Sequence, residues 1–201
     1  MSRHVDYYFT PVSPWAYLGH ERLRAVARAA GATVALRPVD YGAIFPVSGG
    51  LPLAKRAPQR LAYRLVELRR FSEFLNLPLH PRPRHHPVDP TLASQLIVAV
   101  DGALGVESAL DLAGALMRAV WVEERNVADE LALAAILGEC GLDNGLLAAA
   151  HAPEAAQRYR EYTQRAIDAG VFGAPSYVLD GEIFWGQDRL DFLERALQAK
   201  S

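Results

Sequence analysis

Apolar and polar positions first alternate along the chain and then recur at helical spacing. Val5, Tyr7 and Phe9 alternate with Asp6 and Tyr8, the period-two pattern of a half-buried strand. After the turn-rich "TPVSP", the residues Trp15, Leu18, Leu23, Val26, Ala27 and Ala30 fall on one face of a helix that Gly31 should end. Residues 32–39, "ATVALRPV", predict a second strand. A strand, helix, strand unit favours a parallel pair with a right-handed crossover.

From there to about residue 141 the pattern is helical, with no convincing strand alternation. Helices are predicted over residues 60–75, 90–100, 107–124 and 127–138, and a further one over 152–169 with Pro153 as its first residue. Two stretches rich in Gly and Pro, "FPVSGGLPLAKRAP" and "NLPLHPRPRHHPVDP", read as irregular. The end of the chain changes character: a loop with Pro175, a strand Ser176–Leu179, an Asp180-Gly181 hairpin turn, a strand Glu182–Trp185 and a closing helix. Without the helical middle this is the thioredoxin order. The fold class read from the pattern is therefore α/β, a thioredoxin-like core (residues 1–45 and 152–201) with a large all-helical insertion (residues 46–151).

Composition changes little. The 201 residues are 51% hydrophobic and 22% charged with a formal net charge of -2, neither a basic footprint for nucleic acid nor an acidic tail. The start "MSRHVDYYF" lacks the basic and apolar stretches of a signal peptide, and no run suggests a membrane span, so a cytoplasmic protein is expected. Cys140 is the only cysteine, which excludes an internal disulfide, a C-x-x-C pair or a thiolate metal cluster within one chain; it reads as a packing residue. Any thiol chemistry would use a ligand's sulfur.

Ser13 followed by Pro14 is a helix-start pair: the hydroxyl accepts from an early backbone N–H, and the fixed φ of proline suits the first helical position. The same place directs unpaired N–H groups and the positive end of the helix dipole outward, favouring an anion by about 0.3–1 kcal/mol. In a thioredoxin core this is where the reactive cysteine of a dithiol enzyme sits, and "SPWA" occupies it. Pro175 in "GAPSY" has a plain reading as a trans proline that starts a strand. In thioredoxin-like cores a cis proline here instead presents the backbone N–H and C=O of its neighbour, Ala174, to a thiol peptide in the manner of an added strand.

In "WGQDRL", Gly186, Gln187 and Asp188 open the last helix with an acidic first turn. Backbone N–H groups of Gln187 and Asp188 would suit a ligand carboxylate, and the Asp188 carboxylate an ammonium beside it. Lys55, Arg56, Arg60 and Arg64 form a basic row, the last three at i, i+4 spacing on one face of the first inserted helix; it is a solvated face or a receptor for a carboxylate. His85 and His86 are adjacent, a poor metal spacing without a third ligand, so no metal site is expected. Trp15, Tyr17, Phe45, Phe172 and Trp185 are core residues or an aromatic wall.

Taken together, "SPWAYLG", "SGGLPLAKRAPQRLAYRLVELRRF", "GVFGAPSYVLDGEIFWGQDRL" and the missing C-x-x-C resemble the 2-hydroxychromene-2-carboxylate isomerase family, relatives of kappa-class glutathione transferases within the DsbA-like thioredoxin superfamily. The resemblance covers nearly the whole chain. It implies a glutathione-dependent isomerase of aromatic breakdown in which Ser13 stabilises the glutathione thiolate, Ala174 and a cis Pro175 hold the cysteinyl backbone, and Gln187 with Asp188 holds the γ-glutamyl end. Where kappa-like relatives carry Gly-Asn, this chain reads Ser48-Gly49-Gly50, which passes the glycyl carboxylate to Lys55 or Arg60. Trp15, Arg64, His85 and His86 fall to the aromatic carboxylate substrate. In the family reaction the thiolate adds to the conjugated substrate, the former double bond rotates, and loss of glutathione gives the trans-o-hydroxybenzylidenepyruvate. The resemblance also implies a homodimer. Two alternatives stay open: a kappa-like glutathione transferase or peroxidase, and a thioredoxin-like binding module without chemistry.

Overall fold

The computed structural model describes residues 3–199; the expected core's outermost residues, 1–2 and 200–201, lie outside them. The alternating start forms strand β1 (His4–Phe9), the helical face forms α1 (Pro14–Ala29), and β2 (Thr33–Pro38) pairs with β1 in parallel. At the other end β3 (Ser176–Leu179) runs antiparallel to β1, and β4 (Glu182–Trp185) antiparallel to β3, giving the order β2-β1-β3-β4. Asp180 (φ 52°) and Gly181 (φ 85°) both lie in the left-handed region, as a two-residue hairpin turn requires. This is the thioredoxin-like sheet expected from the element order.

Between the two halves run α2 (Tyr41–Ser48), α3 (Pro58–Leu75), α4 (Thr91–Leu104), α5 (Val106–Trp121), α6 (Glu130–Glu139), α7 (Leu146–His151) and α8 (Pro153–Asp168), and α9 (Leu190–Gln198) closes the chain. Two of these correct the sequence reading. Helix α2 begins before the stretch read as irregular and carries Pro46 inside it. It forms because Asp40 caps it, accepting from the Gly42 N–H at 2.7 Å, because Gly49 (φ 76°) ends it, and because Tyr41 and Ile44 dock in the core. Helix α7 is one short turn-and-a-half of "LLAAAH" with no period to read. A third correction concerns the basic row: Lys55 closes a 3-10 turn and Arg56 follows it, so both precede α3, and only Arg60 and Arg64 are on the helix.

The main apolar cluster is continuous from the sheet into the inserted helices. It joins Val5, Tyr7 and Phe9 of β1, Leu23 of α1 and Leu36 of β2 to Leu96 and Ile97 of α4 and to Leu112, Leu116 and Trp121 of α5. A second cluster under α2 and α8 gathers Tyr8, Val39, Tyr41, Ile44 and Tyr162. Cys140 ends α6 half-buried against the main cluster, and burial raises its thiol pKa, in keeping with a packing role.

Candidate active site

Ser13 is the N-cap of α1: its backbone is extended (φ -85°, ψ 123°), and its Oγ accepts from the Ala16 N–H at 3.2 Å. Pro14 supplies the first helical residue. The Ser13 N–H donates to the Thr10 carbonyl at 3.0 Å, which closes the turn leaving β1. The hydroxyl thus fulfils its capping role as an acceptor and keeps its proton to donate at the helix N-terminus. The Thr10 hydroxyl is buried and has no hydrogen-bond partner among the described residues.

The strand register brings the distant C-terminal segment to this point. Tyr8 is opposite Ser176, so the end of β1 meets the segment that enters β3. The Ala174–Pro175 peptide is cis. Its approach is fixed by the Gly173 carbonyl, which accepts from the Tyr41 hydroxyl at 2.9 Å and from the Ser176 hydroxyl at 2.7 Å. Gly173 lies against the Trp185 indole, where a Cβ would come within 2.3 Å of Nε1. The Gly186 N–H donates to the Pro175 carbonyl at 2.9 Å, placing the turn at 186–188 on the same rim.

Within that turn the side chains are already engaged. Gln187 is buried, and its amide and backbone oxygens each accept from Arg22 of α1 at 3.0 Å. Asp188 is exposed and pairs with Arg189 at 2.7 Å. Gln187 therefore faces inward to α1, and what the turn offers outward is its backbone and the Asp188 carboxylate. Arg22 escaped the sequence reading because its role depends on a partner 165 residues away.

On the other flank of Ser13 stands α3. Trp15 meets Phe71 edge-on at 6.0 Å, and the Tyr17 hydroxyl donates to the Pro78 carbonyl at 2.9 Å. The Arg64 guanidinium is 5.7 Å from the ring centre of Trp121, and the His86 ring is 4.7 Å from the same ring. The backbone of Val12, the residue before Ser13, acts on the His86 ring and opposes the lowering of its pKa. Burial, then the charge of Arg64, lowers the His86 pKa to about 4, so the ring is neutral near pH 7. Arg64 is itself lowered to about 10 by burial and by Arg56.

Lys55, Arg60 and His85 are exposed. Arg56 is half-buried, its Nε donating to the Leu51 carbonyl at 2.9 Å. The expected aromatic wall is two separate groups: Trp15 on the α3 flank, and Phe172 with Trp185, 4.8 Å apart, on the rim of β4. Phe45 packs on Tyr41 at 5.6 Å. Trp121 was not among the expected site residues, since nothing in the pattern of α5 separates it from other core positions. Of two surface hollows of about 270 Å³ each, one is lined by Trp185 and the other by Phe172, and neither is lined by Ser13, Arg64 or His86. Among the described residues no group of three His, Cys, Asp or Glu side chains is placed to hold a metal ion, and no helix is long and apolar enough to cross a membrane.

Residues 4–198 match the family model of the DSBA-like thioredoxin domain. The 2-hydroxychromene-2-carboxylate isomerase of Pseudomonas sp. (strain C18) is 31% identical over 201 residues, covering 96% of this chain and 89% of that one. The chain belongs to this isomerase family, within the DSBA-like thioredoxin domain proteins. A solved structure of a 2-hydroxychromene-2-carboxylate isomerase superposes on it with a TM-score of 0.81 at 29% identity, covering 96% of this chain and 94% of the other. Glutathione S-transferase kappa 1 of Homo sapiens is 25% identical over 211 residues, covering 100% of this chain and 93% of its own. This protein thus shares fold, length and chain order with the isomerase family.

Proposed function

We propose that the protein is a glutathione-dependent isomerase acting on 2-hydroxychromene-2-carboxylate or a similar intermediate of aromatic breakdown. The observation that carries the reading is the Ser13 cap: a hydroxyl with a free proton, at a helix N-terminus, in a chain whose one cysteine lies far along the sequence on α6. A hydroxyl and an N-terminal dipole that favour a thiolate need a sulfur from a ligand. The isomerase relatives name the reaction, and the kappa relative is named for glutathione.

The residues present fit glutathione. Ser13 donates to its sulfur. The main chain of Ala174 holds the cysteinyl unit, the 186–188 turn with the Asp188 carboxylate holds the γ-glutamyl end, and exposed Lys55 or Arg60 meets the glycyl carboxylate. When bound, glutathione supplies a thiolate that adds reversibly to the conjugated system of the substrate and so permits rotation about its former double bond. Ser13 and the α1 dipole hold that sulfur as the anion, and Arg22 keeps the 186–188 turn in register with the helix.

The test is identification of the product from a hydroxychromene carboxylate with and without glutathione. The trans-o-hydroxybenzylidenepyruvate, formed only with glutathione and without consuming it, is the expected result. The similarity to the kappa protein favours one rival, a glutathione transferase, and a stable conjugate as the product would decide for it.

A further inference from the structure

Where α1 covers the sheet, a row of buried rings carries polar atoms that the candidate site does not use. Tyr7 of β1 and Tyr177 of β3 are opposite each other in the register, and their rings lie 5.4 Å apart at 28°. The His20 ring of α1 is 5.9 Å from the Tyr7 ring. Tyr7 and Tyr177 are 0% exposed and His20 is 2% exposed. The Tyr7 hydroxyl, the Tyr177 hydroxyl and the His20 Nδ1 each have no hydrogen-bond partner among the described residues. A buried polar group left without a partner is costly, and here three occur in one row of neighbouring rings.

Protonation sorts them into two donors and one acceptor. Burial raises the pKa of both tyrosines, so both hydroxyls keep their protons. Burial lowers that of His20, and the neutral ring turns Nε2 to the Leu110 carbonyl at 2.9 Å; the ring proton is therefore on Nε2, and Nδ1 is left as an acceptor. An apolar group would leave all three unsatisfied, and an anion would face the Nδ1 lone pair. A water molecule both accepts and donates, and makes about three such bonds when buried. Glycines stand where the helices approach these rings. A Cβ on Gly19 of α1 would come within 2.6 Å of the Tyr177 hydroxyl, and one on Gly114 of α5 within 3.3 Å of the His20 Cδ2. The same Gly19 Cβ would lie 3.0 Å from the Gln187 Cβ, so the Tyr177 hydroxyl and the 186–188 turn meet α1 at one point.

We propose that α1 and the sheet share a bound water molecule, which accepts from the Tyr7 and Tyr177 hydroxyls and donates to His20 Nδ1, as a fixed part of the seat of α1. Strand β1 leads to Ser13, α1 starts from it, and β3 follows the cis Ala174–Pro175 peptide. The water therefore joins the three elements that carry the candidate site, and it does so whatever ligand that site takes.

The experiment is a high-resolution crystal structure of the whole protein, with water-to-protein nuclear Overhauser effects measured in solution at the ring protons of Tyr7 and Tyr177. Urea unfolding is followed beside it for the parent, Tyr7→Phe, Tyr177→Phe and the double variant. The expected result is one ordered water within hydrogen-bond distance of both hydroxyls and Nδ1, with Overhauser effects of the sign of a long-lived water at both rings. Each single variant should lower the folding equilibrium constant about fivefold, and the double variant by less than the product of the two, because both hydroxyls serve one water. A direct bond between the hydroxyls, or from a hydroxyl to Nδ1, with no water between them overturns the proposal. A water held by only one of the three groups overturns it as well, as does a fully multiplicative loss in the double variant.

Discussion

Replacing Ser13 separates its two roles, because alanine and glycine differ as caps and are alike in lacking a hydroxyl. The Oγ bond to the Ala16 N–H at 3.2 Å is a helix cap, and its loss to alanine costs about 1 kcal/mol of stability, to glycine only a few tenths. In the proposed function the hydroxyl also donates to a thiolate, a charge-assisted hydrogen bond that would contribute about 1.5–3 kcal/mol. At 1.36 kcal/mol per pKa unit, its loss raises the pKa of the bound glutathione thiol by about 1–2 units. The α1 dipole persists in both variants and keeps part of the depression. The assay is a pH titration of the thiolate ultraviolet absorbance of bound glutathione, beside urea unfolding of each protein. Ser13→Ala and Ser13→Gly should raise the thiol pKa equally, while only Ser13→Ala loses appreciable stability. An unchanged thiol pKa in both would refute the donor role, and a shift confined to Ser13→Ala would reduce Ser13 to a cap.

Arg22→Met removes the donor that holds both oxygens of Gln187, so the KM for glutathione should rise several-fold while kcat stays near the parent value; steady-state kinetics with the reverse split would remove Arg22 from the site. Gly19→Ala puts a Cβ 2.6 Å from the Tyr177 hydroxyl and 3.0 Å from the Gln187 Cβ, an overpacking that should cost about 1–3 kcal/mol in urea unfolding; an unchanged midpoint would mean that α1 is not seated this closely. His86 has a native pKa lowered from 6.5 to about 4. The unfolded chain therefore binds the extra proton first, and stability should fall as pH drops from about 6.5 to about 4. His86→Asn should flatten the stability profile in that window, and an identical slope in both proteins would show that the ring is not held neutral.

What the sequence showed best was local. The alternation of Val5, Tyr7 and Phe9, the Ser13-Pro14 start and the Asp180-Gly181 turn each depend on near neighbours, and each formed the element expected. Helix α2 was hidden because Pro46 looks like a breaker, whereas the Asp40 cap and the docking of Ile44 outweigh it and Gly49 marks only the helix end. Around the candidate site the sequence pattern foretold the Ser13 cap and the 186–188 turn, and the resemblance foretold the cis Ala174–Pro175 peptide. The supports of the site were not foretold, for Arg22 acts on Gln187, Tyr41 on Gly173, and Trp121 beneath Arg64 and His86 only once the chain has folded. Arg56 shows the reverse case, since it leaves the helix that its spacing suggested and still lies close enough to Arg64 to oppose its charge.

The unbroken apolar cluster has a consequence for engineering. Strand β1 buries Val5, Tyr7 and Phe9 in the same cluster as residues of α4 and α5. Excising the inserted helices to leave a minimal thioredoxin would strip cover from the centre of the sheet and yield a sticky, aggregating fragment. A relative's insertion could be transplanted only together with the sheet face it covers. Helix α5, which sets Trp121 beneath Arg64 and His86, is equally part of the cover of that core.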